Sequence, residues 1–190
     1  MTVKSTGKAQ PCPVEKAGSL DTWYRRILQN PEKVIQPYVY AGMQVMDIGC
    51  GPGYFTLPLA TRVGNSGRVV AVDMQQGMLD IVQQKVQLSN EPRSNIECIL
   101  CSEDSLGISG EFDFILAFYM LHEVPDIEGF LSELYALLKS GGGVLIGEPA
   151  FFGISFSHFA STITVCEKLG FVVEPVHGIF MTKAIYLKKL

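Results

Sequence analysis

The sequence predicts an α/β fold: a doubly wound, mostly parallel seven-stranded sheet with helices on both faces and a C-terminal antiparallel β-hairpin. Three observations carry that expectation. Short apolar runs bounded by turn residues alternate with longer stretches of helical periodicity, the order of repeated β-α units. One run, residues 112–118, is apolar almost throughout, as in a strand covered on both faces. The last two runs, 171–176 and 183–187, are too close together for a crossover helix and must pair antiparallel.

The elements follow in order. Residues 1–18, rich in Lys, Pro, Ser and Gly, are expected to form a flexible tail ahead of a single domain over 19–190. Residues 19–40 read as one or two helices, capped at Ser19 or Asp21 and broken at Pro31 and Pro37. A strand at 44–48, a helix at 54–63, a strand at 68–72 and a helix at 75–88 come next, then strands at 96–100 and 112–118. Pro58 fits its helix only in the first turns, where a missing N–H costs little. From Pro125 a helix carries Phe130, Leu131, Leu134, Leu137 and Leu138 on one stripe. Gly141 to Gly143 are expected to end it before a fifth strand at 144–147. A helix over 157–169 stops at Gly170 and leads into the hairpin.

A chain of 190 residues, 47% of them hydrophobic, is long enough for one full core. Its apolar runs fall short of a bilayer span, and its polar start carries no expectation of a signal peptide. A net charge of −4 gives no pull toward nucleic acid or an anionic membrane, so neither is expected as a partner. The five cysteines are odd in number and mostly embedded in apolar sequence, which suits free thiols in a reducing cytoplasm. Cys98 and Cys101 have the spacing of a metal or redox half-site. On a strand, however, residues three apart face opposite ways, and no second pair completes a zinc site. No metal is expected.

The most informative segment is Val45-Met46-Asp47-Ile48-Gly49-Cys50-Gly51-Pro52-Gly53-Tyr54, a buried strand running through a glycine-rich turn into a helix. Glycines at alternate positions let the backbone bend sharply and lie against an adenosine-like ligand. A dinucleotide site requires G-x-G-x-x-G, with the pyrophosphate on the helix N-terminus. Here Tyr54 occupies the third position, and Asp47 stands two residues ahead of the first glycine. A carboxylate there repels a pyrophosphate but suits an ammonium or sulfonium. Asp73 ends the second strand about twenty residues on, where a carboxylate can accept from both hydroxyls of a ribose. Each residue also has a structural reading: the glycines as a plain tight turn, Asp73 as a helix cap, Met74 and Phe118 as core.

Taken together, the motifs resemble those of class I S-adenosylmethionine-dependent methyltransferases. The resemblance is to the small-molecule type near the ubiquinone/menaquinone and arsenite methyltransferases, whose fold is Rossmann-like. It rests on Asp47 to Gly53; on Val69-Val70-Ala71-Val72-Asp73 with Gln76-Gly77-Met78-Leu79; and on Phe112-Asp113 with Leu121-His122-Glu123-Val124. Leu138 to Gly142 followed by Val144 to Glu148, and Leu169-Gly170-Phe171, complete it, from about residue 30 to the C-terminus.

The resemblance implies S-adenosylmethionine as cofactor, leaving as S-adenosylhomocysteine. It places Gly49, Gly51 and Gly53 near the methionine part, Asp47 at the ammonium end and Asp73 on the ribose hydroxyls. Met74 packs on the adenine, Ser102 and Glu103 meet its edge, and the Phe118 backbone receives the ammonium group. Relatives often carry Asp or Asn where Ser102 stands. No N/D-P-P-Y/F/W motif follows the fourth strand, which argues against the amino-methylating DNA and protein enzymes.

Transfer from a sulfonium is an in-line displacement in which the protein chiefly aligns the acceptor and excludes water, an effect worth on the order of 7–11 kcal/mol. A base is needed only for a protonated acceptor, and His122 is the candidate. Tyr119, Glu123 and Glu148 are expected to line the acceptor pocket, Trp23 and Tyr24 to lid it, and residues 151–156 to supply an apolar wall. The expected function is methyl transfer to a small-molecule acceptor by a cytoplasmic monomer or homodimer. A non-catalytic S-adenosylmethionine sensor or partner protein and a nicotinamide dehydrogenase are the rival readings.

Overall fold

The computed structural model describes residues 12–20, 23–89, 94–150 and 156–190. Seven strands, β1 (Gln44–Ile48), β2 (Arg68–Asp73), β3 (Ile96–Leu100), β4 (Phe112–Phe118), β5 (Leu138–Pro149), β6 (Phe171–Val176) and β7 (Thr182–Lys189), form one sheet. Their order is β3-β2-β1-β4-β5-β7-β6. β1 to β5 run parallel, while β7 lies antiparallel between β5 and β6. The hairpin thus closes one edge of the sheet, as expected, with its second strand inward.

Alternation along the strands builds a core on each face. Met46, Ile48, Ile115, Ala117, Val144 and Ile146 pack with Leu131, Leu134 and Leu137 of α6 (Ile127–Leu137) and with Cys166 of α7 (Phe156–Lys168). Val45, Val69, Phe114 and Leu116 pack on the other face against α3 (Pro31–Ile35) and α4 (Thr56–Val63). Ala71 continues that face under Leu79 and Val82 of α5 (Gln76–Leu88). Helices therefore cover both faces, as the uninterrupted apolar strands require. Cys98 and Cys101 pack into different clusters, on opposite faces of the sheet.

Three details differ from the sequence expectation. The glycines at 141–143 do not stop a helix; they lie within β5. Phe112 pairs with Leu138 and Phe114 with Gly143, so residues 139–142 bulge out of the ladder. A side chain on Gly142 would meet three backbone carbonyls at 3.0–3.1 Å, which is why the bulge is glycine. The end of α6 is held instead by Lys189, whose Nζ donates to the carbonyls of Tyr135 and Leu138. At its start the Asp126 carboxylate accepts from the Gly129 N–H, so α6 begins after Pro125.

The third difference lies at the N-terminus. Where described, the segment expected as tail is folded: a 3₁₀ turn at Val14–Lys16 leads into α1 (Ala17–Leu20). Ala17 is buried, and the Cys12 carbonyl accepts from Gln75 Nε2 at 2.9 Å. Ser19 lies inside α1, whereas residues 1–11 and the alternative cap Asp21 fall outside the described residues. α2 (Trp23–Leu28) follows, and α3 starts at the expected break, with Pro31 first and Asn30 Oδ1 accepting from the Lys33 N–H. Asp113, quoted above within a motif, ties the starts of β1 and β5 by accepting from the Gln44 N–H and Lys139 Nζ, both at 2.8 Å. No helix among the described residues is long and apolar enough to cross a membrane.

Candidate cofactor and acceptor site

A cavity of about 410 Å³ opens above the C-terminal ends of β1 to β4. The strand order reverses between β1 and β4, and that is where an open α/β sheet offers a crevice. The glycine turn forms its floor. Gly49, Gly51 and Gly53 have φ of 63°, 51° and 83°, the left-handed region open to glycine. Gly49 and Gly51 line the cavity, and a side chain on Gly49 would reach within 2.8 Å of Met120 Cβ. Gly53 does not line it; its Cα faces Val82, which a side chain would meet at 3.1 Å, so this glycine serves α5 packing.

Two buried acids flank the turn. Asp73 accepts from the Gly51 N–H with Oδ2 and from the Gln75 N–H with Oδ1, both at 2.9 Å. It thus holds the turn and the entry to α5 while lining the cavity. Burial raises its pKa, and the backbone donors at Gln75, Gly51 and Met74 oppose the rise. Asp47 is 2% exposed and accepts a hydrogen bond of 2.6 Å from the Thr56 hydroxyl. Burial pushes its carboxyl up to about 7; Thr56 opposes that rise and the nearby Asp73 adds to it.

Met74, half-exposed, lies in the wall with the loop after β3. Ser102 and Glu103 belong to this loop and line the cavity. The Ser102 hydroxyl and the Ser105 backbone bond each other, and Glu133 accepts from the Leu106 N–H at 3.1 Å. Cys50 and Cys101 line the cavity as thiols: burial lifts Cys50 well above the ordinary cysteine range and Cys101 to about 11.

The opposite wall is the exit of β4, with Phe118, Tyr119 and Met120. Tyr119 has φ of 63°, a conformation that costs a non-glycine residue of order 1–3 kcal/mol. It is fixed by its N–H on the Gly147 carbonyl at 2.7 Å and by a network at its hydroxyl. Gln29 Nε2 donates to the Tyr119 hydroxyl and, at 2.9 Å, to Thr182 Oγ1. Tyr119 and Thr182 share a bond of 2.7 Å, and Tyr54 donates to the Gln29 carbonyl at 2.9 Å. Arg25 also lines the cavity, its guanidinium carbon 4.1 Å from the Tyr54 ring centroid and 5.5 Å from that of Tyr119.

His122 and Glu148 take a different place. His122 Nδ1 lies 2.7 Å from Glu148 Oε2, and Glu148, 2% exposed, also accepts from the Leu121 N–H at 3.0 Å. Glu148 is therefore consumed behind the wall, and neither residue is among those lining the cavity. The hydrogen bond to Glu148 raises the His122 pKa against the opposing effect of burial. Glu123 does line the cavity, 3.9 Å from His122 Nε2; burial raises its pKa and His122 opposes that.

Trp23 and Tyr24 lie in α2 with side chains outside the described residues, as do residues 151–155 of the expected apolar wall. Arg25, Gln29 and Thr182 escaped the sequence reading, since nothing near them in sequence marks them. Tyr54 had a signal, its place directly after Gly53. In total the described lining holds six carboxylates (Asp47, Asp73, Glu103, Asp104, Glu123 and Asp126) against one cation, Arg25. Such a cavity complements a ligand bearing an ammonium and a sulfonium.

The model of the methyltransferase domain matches residues 45–142, just over half of the chain. The chain belongs to the methyltransferase domain family. The cofactor that goes with that family is S-adenosylmethionine, its product S-adenosylhomocysteine, and the glycine turn, Asp47 and Asp73 fit it. Among solved structures this methyltransferase chain is similar to a SAM-dependent methyltransferase from Aquifex aeolicus. The TM-score is 0.83 at 25% identity over 94% of this chain and 100% of that one. Among curated relatives it is similar to the demethylmenaquinone methyltransferase of Lactococcus lactis, 35% identical over 57% of this chain and 43% of that protein. The corresponding protein of Staphylococcus saprophyticus is 28% identical over 86% of this chain and 64% of its own. The chain thus spans between about two fifths and two thirds of the length of these relatives.

Proposed function

We propose that this chain transfers a methyl group from S-adenosylmethionine to a small-molecule acceptor with an aromatic, quinol-like ring. The observation that carries this reading is a cavity of about 410 Å³ with the glycine turn and two buried acids at one end and an aromatic wall at the other. In it Gly49 and Gly51 receive the methionine part, Asp47 and the Phe118 backbone the ammonium, and Asp73 the ribose hydroxyls. Met74 packs on the adenine, with Ser102 and Glu103 at its edge. The bound cofactor supplies an electrophilic methyl group. The chain's own residues then orient the acceptor, exclude water and hold its proton.

The proton acceptor in this reading is Glu123, the raised carboxyl that faces the cavity. His122, bonded to Glu148, holds the Glu123 loop rather than touching the acceptor. The volume lies at the lower end of the roughly 300–1,000 Å³ of small-molecule sites. With a cofactor in place, only a small acceptor, or the reacting ring of a larger one, fits inside. The resemblance to demethylmenaquinone methyltransferases supports a quinol ring, and the free thiols suit a reducing, cytoplasmic setting.

The test is transfer of label from methyl-labelled cofactor to a panel of quinols and phenols, demethylmenaquinol included. Label on a quinol, with the rate lowered about 10²-fold or more in Glu123→Gln, is the expected result. Tight S-adenosylhomocysteine binding without transfer to any member would favour the sensor reading instead.

A further inference from the structure

We propose that Thr56 is a positioning residue for the cofactor: its buried hydroxyl fixes Asp47 so that one carboxylate oxygen is kept for the ammonium group. Binding then expels the Asp47 proton. This rests on the methyltransferase reading above, in which Asp47 meets that group. Thr56 opens α4 and is fully buried, and its hydroxyl donates to Asp47 Oδ2 at 2.6 Å. A helical threonine that serves only its helix bonds back to a carbonyl one turn earlier. Thr56 reaches instead to a side chain of β1, nine residues back.

Packing alone does not account for this pair. A valine would fill the place of Thr56 with no hydroxyl to satisfy, and a buried polar group costs free energy unless it is bonded. Two such groups satisfying each other gain little over an apolar pair of the same shape. The pair is also incomplete. Among the described residues nothing donates to Asp47 Oδ1, although Asp47 is 2% exposed and lines the cavity. An orphaned carboxylate oxygen at this depth is a place for a donor brought by the ligand.

The surroundings of Asp47 set its charge. Ala71 and Leu116, beside it on β2 and β4, are apolar. The titratable groups facing it are Asp73 at the end of β2 and the Cys50 thiol of the turn, and neither supplies a positive charge. The same cavity holds Arg25 of α2 and Glu123 after β4. Burial therefore keeps the carboxyl neutral up to about pH 7, against the Thr56 hydrogen bond. An ammonium group reverses that balance: the carboxyl O–H breaks, its proton passes to solvent, and an N–H donates to the carboxylate in its place.

Calorimetry between about pH 5 and 8.5 with two ligands tests this: S-adenosylhomocysteine, and 5′-methylthioadenosine, which lacks the amino-acid end. The wild-type affinity for S-adenosylhomocysteine should fall about tenfold per pH unit on the acid side of a break, with about one proton released per ligand bound there. That for 5′-methylthioadenosine should stay flat. In Thr56→Val the break should move up by about one pH unit, and Thr56→Ser should restore it. In Asp47→Asn, adding Thr56→Val should cause no further loss. If Thr56→Val does not fold, Thr56→Ala reads the same shift. A break shared by both ligands belongs to Asp73 or Glu123 and overturns the assignment. An unmoved break in Thr56→Val also overturns it, as does an equal loss for both ligands at every pH, the mark of a merely structural role. If the wild-type protein binds no S-adenosylhomocysteine at all, the methyltransferase reading itself fails, an outcome distinct from the others.

Discussion

At the β1–β2 end of the cavity the ligand-facing groups come from a few consecutive residues, Asp47 to Gly51 and Asp73 to Gln75, held by backbone hydrogen bonds. At the β4 end they come from three separated segments, α2, the glycine turn's exit and the loop after β4, braced from behind by Gln29 and by Thr182 of β7. The first end is specified by local conformation and tolerates few side chains. The second is specified by long side chains meeting across the fold, and it is the end proposed above to meet the acceptor. Variation in the second can change the acceptor without disturbing the first, which is how one fold serves many chemistries.

Substitutions that strike the two ends should therefore fail in different ways. The largest effect is expected for Gly49→Ala. Its left-handed φ costs alanine about 1–2 kcal/mol, and overlap with Met120 adds about 1–3 kcal/mol. Urea unfolding should show a loss of roughly 2–5 kcal/mol; a loss near zero would mean the turn is not rigid. Asp47→Asn should act oppositely on stability and on binding. A carboxyl raised to about 7 keeps its proton in the folded state over a range where the unfolded state has lost it. Stability then falls as pH rises from about 4 to 7, and is flat above. The asparagine variant escapes this fall, so at pH 8 the ligand-free protein should gain roughly 1–3 kcal/mol while binding S-adenosylhomocysteine less tightly. A variant less stable than wild type at pH 8 would contradict the buried-acid account.

At the β4 end, His122→Ala should cost about 1 kcal/mol at pH 6. A histidine pKa raised by Glu148 contributes stability fully below its unfolded value, and this is lost as pH rises through the folded value. Denaturation at stepped pH should show that slope in wild type and not in the variant. Ser102→Ala should be smallest, within about 0.5 kcal/mol in both stability and cofactor affinity, because the hydroxyl is exposed and bonds only its own loop in the structure. A tenfold loss of affinity would promote Ser102 to a main adenine contact.

The same contrast explains what was legible in the sequence. β1, β2 and β4 could be read because burial on both faces leaves an unbroken apolar run, and the glycine turn because alternate glycines have few other uses. Asp73 could be picked out from its spacing after the glycine turn, and Met74 only from the family resemblance. The β5 bulge was hidden because Gly141 to Gly143 look like a helix stop until Phe112 and Phe114 are paired with them. Arg25 and Gln29 were hidden by distance: the Gln29 partners lie 90 and 153 residues away. Glu148 was read as pocket-lining because it ends β5 beside the site, and no local pattern shows that Leu121 and His122 take its carboxylate.

The most direct test of the central claim is calorimetric titration of S-adenosylhomocysteine into the wild-type protein and into Asp73→Ala. One saturable site is expected in the wild type and an affinity about 100-fold weaker in the variant, or about 2.7 kcal/mol. Absence of binding in the wild type, or equal binding in the variant, would contradict it.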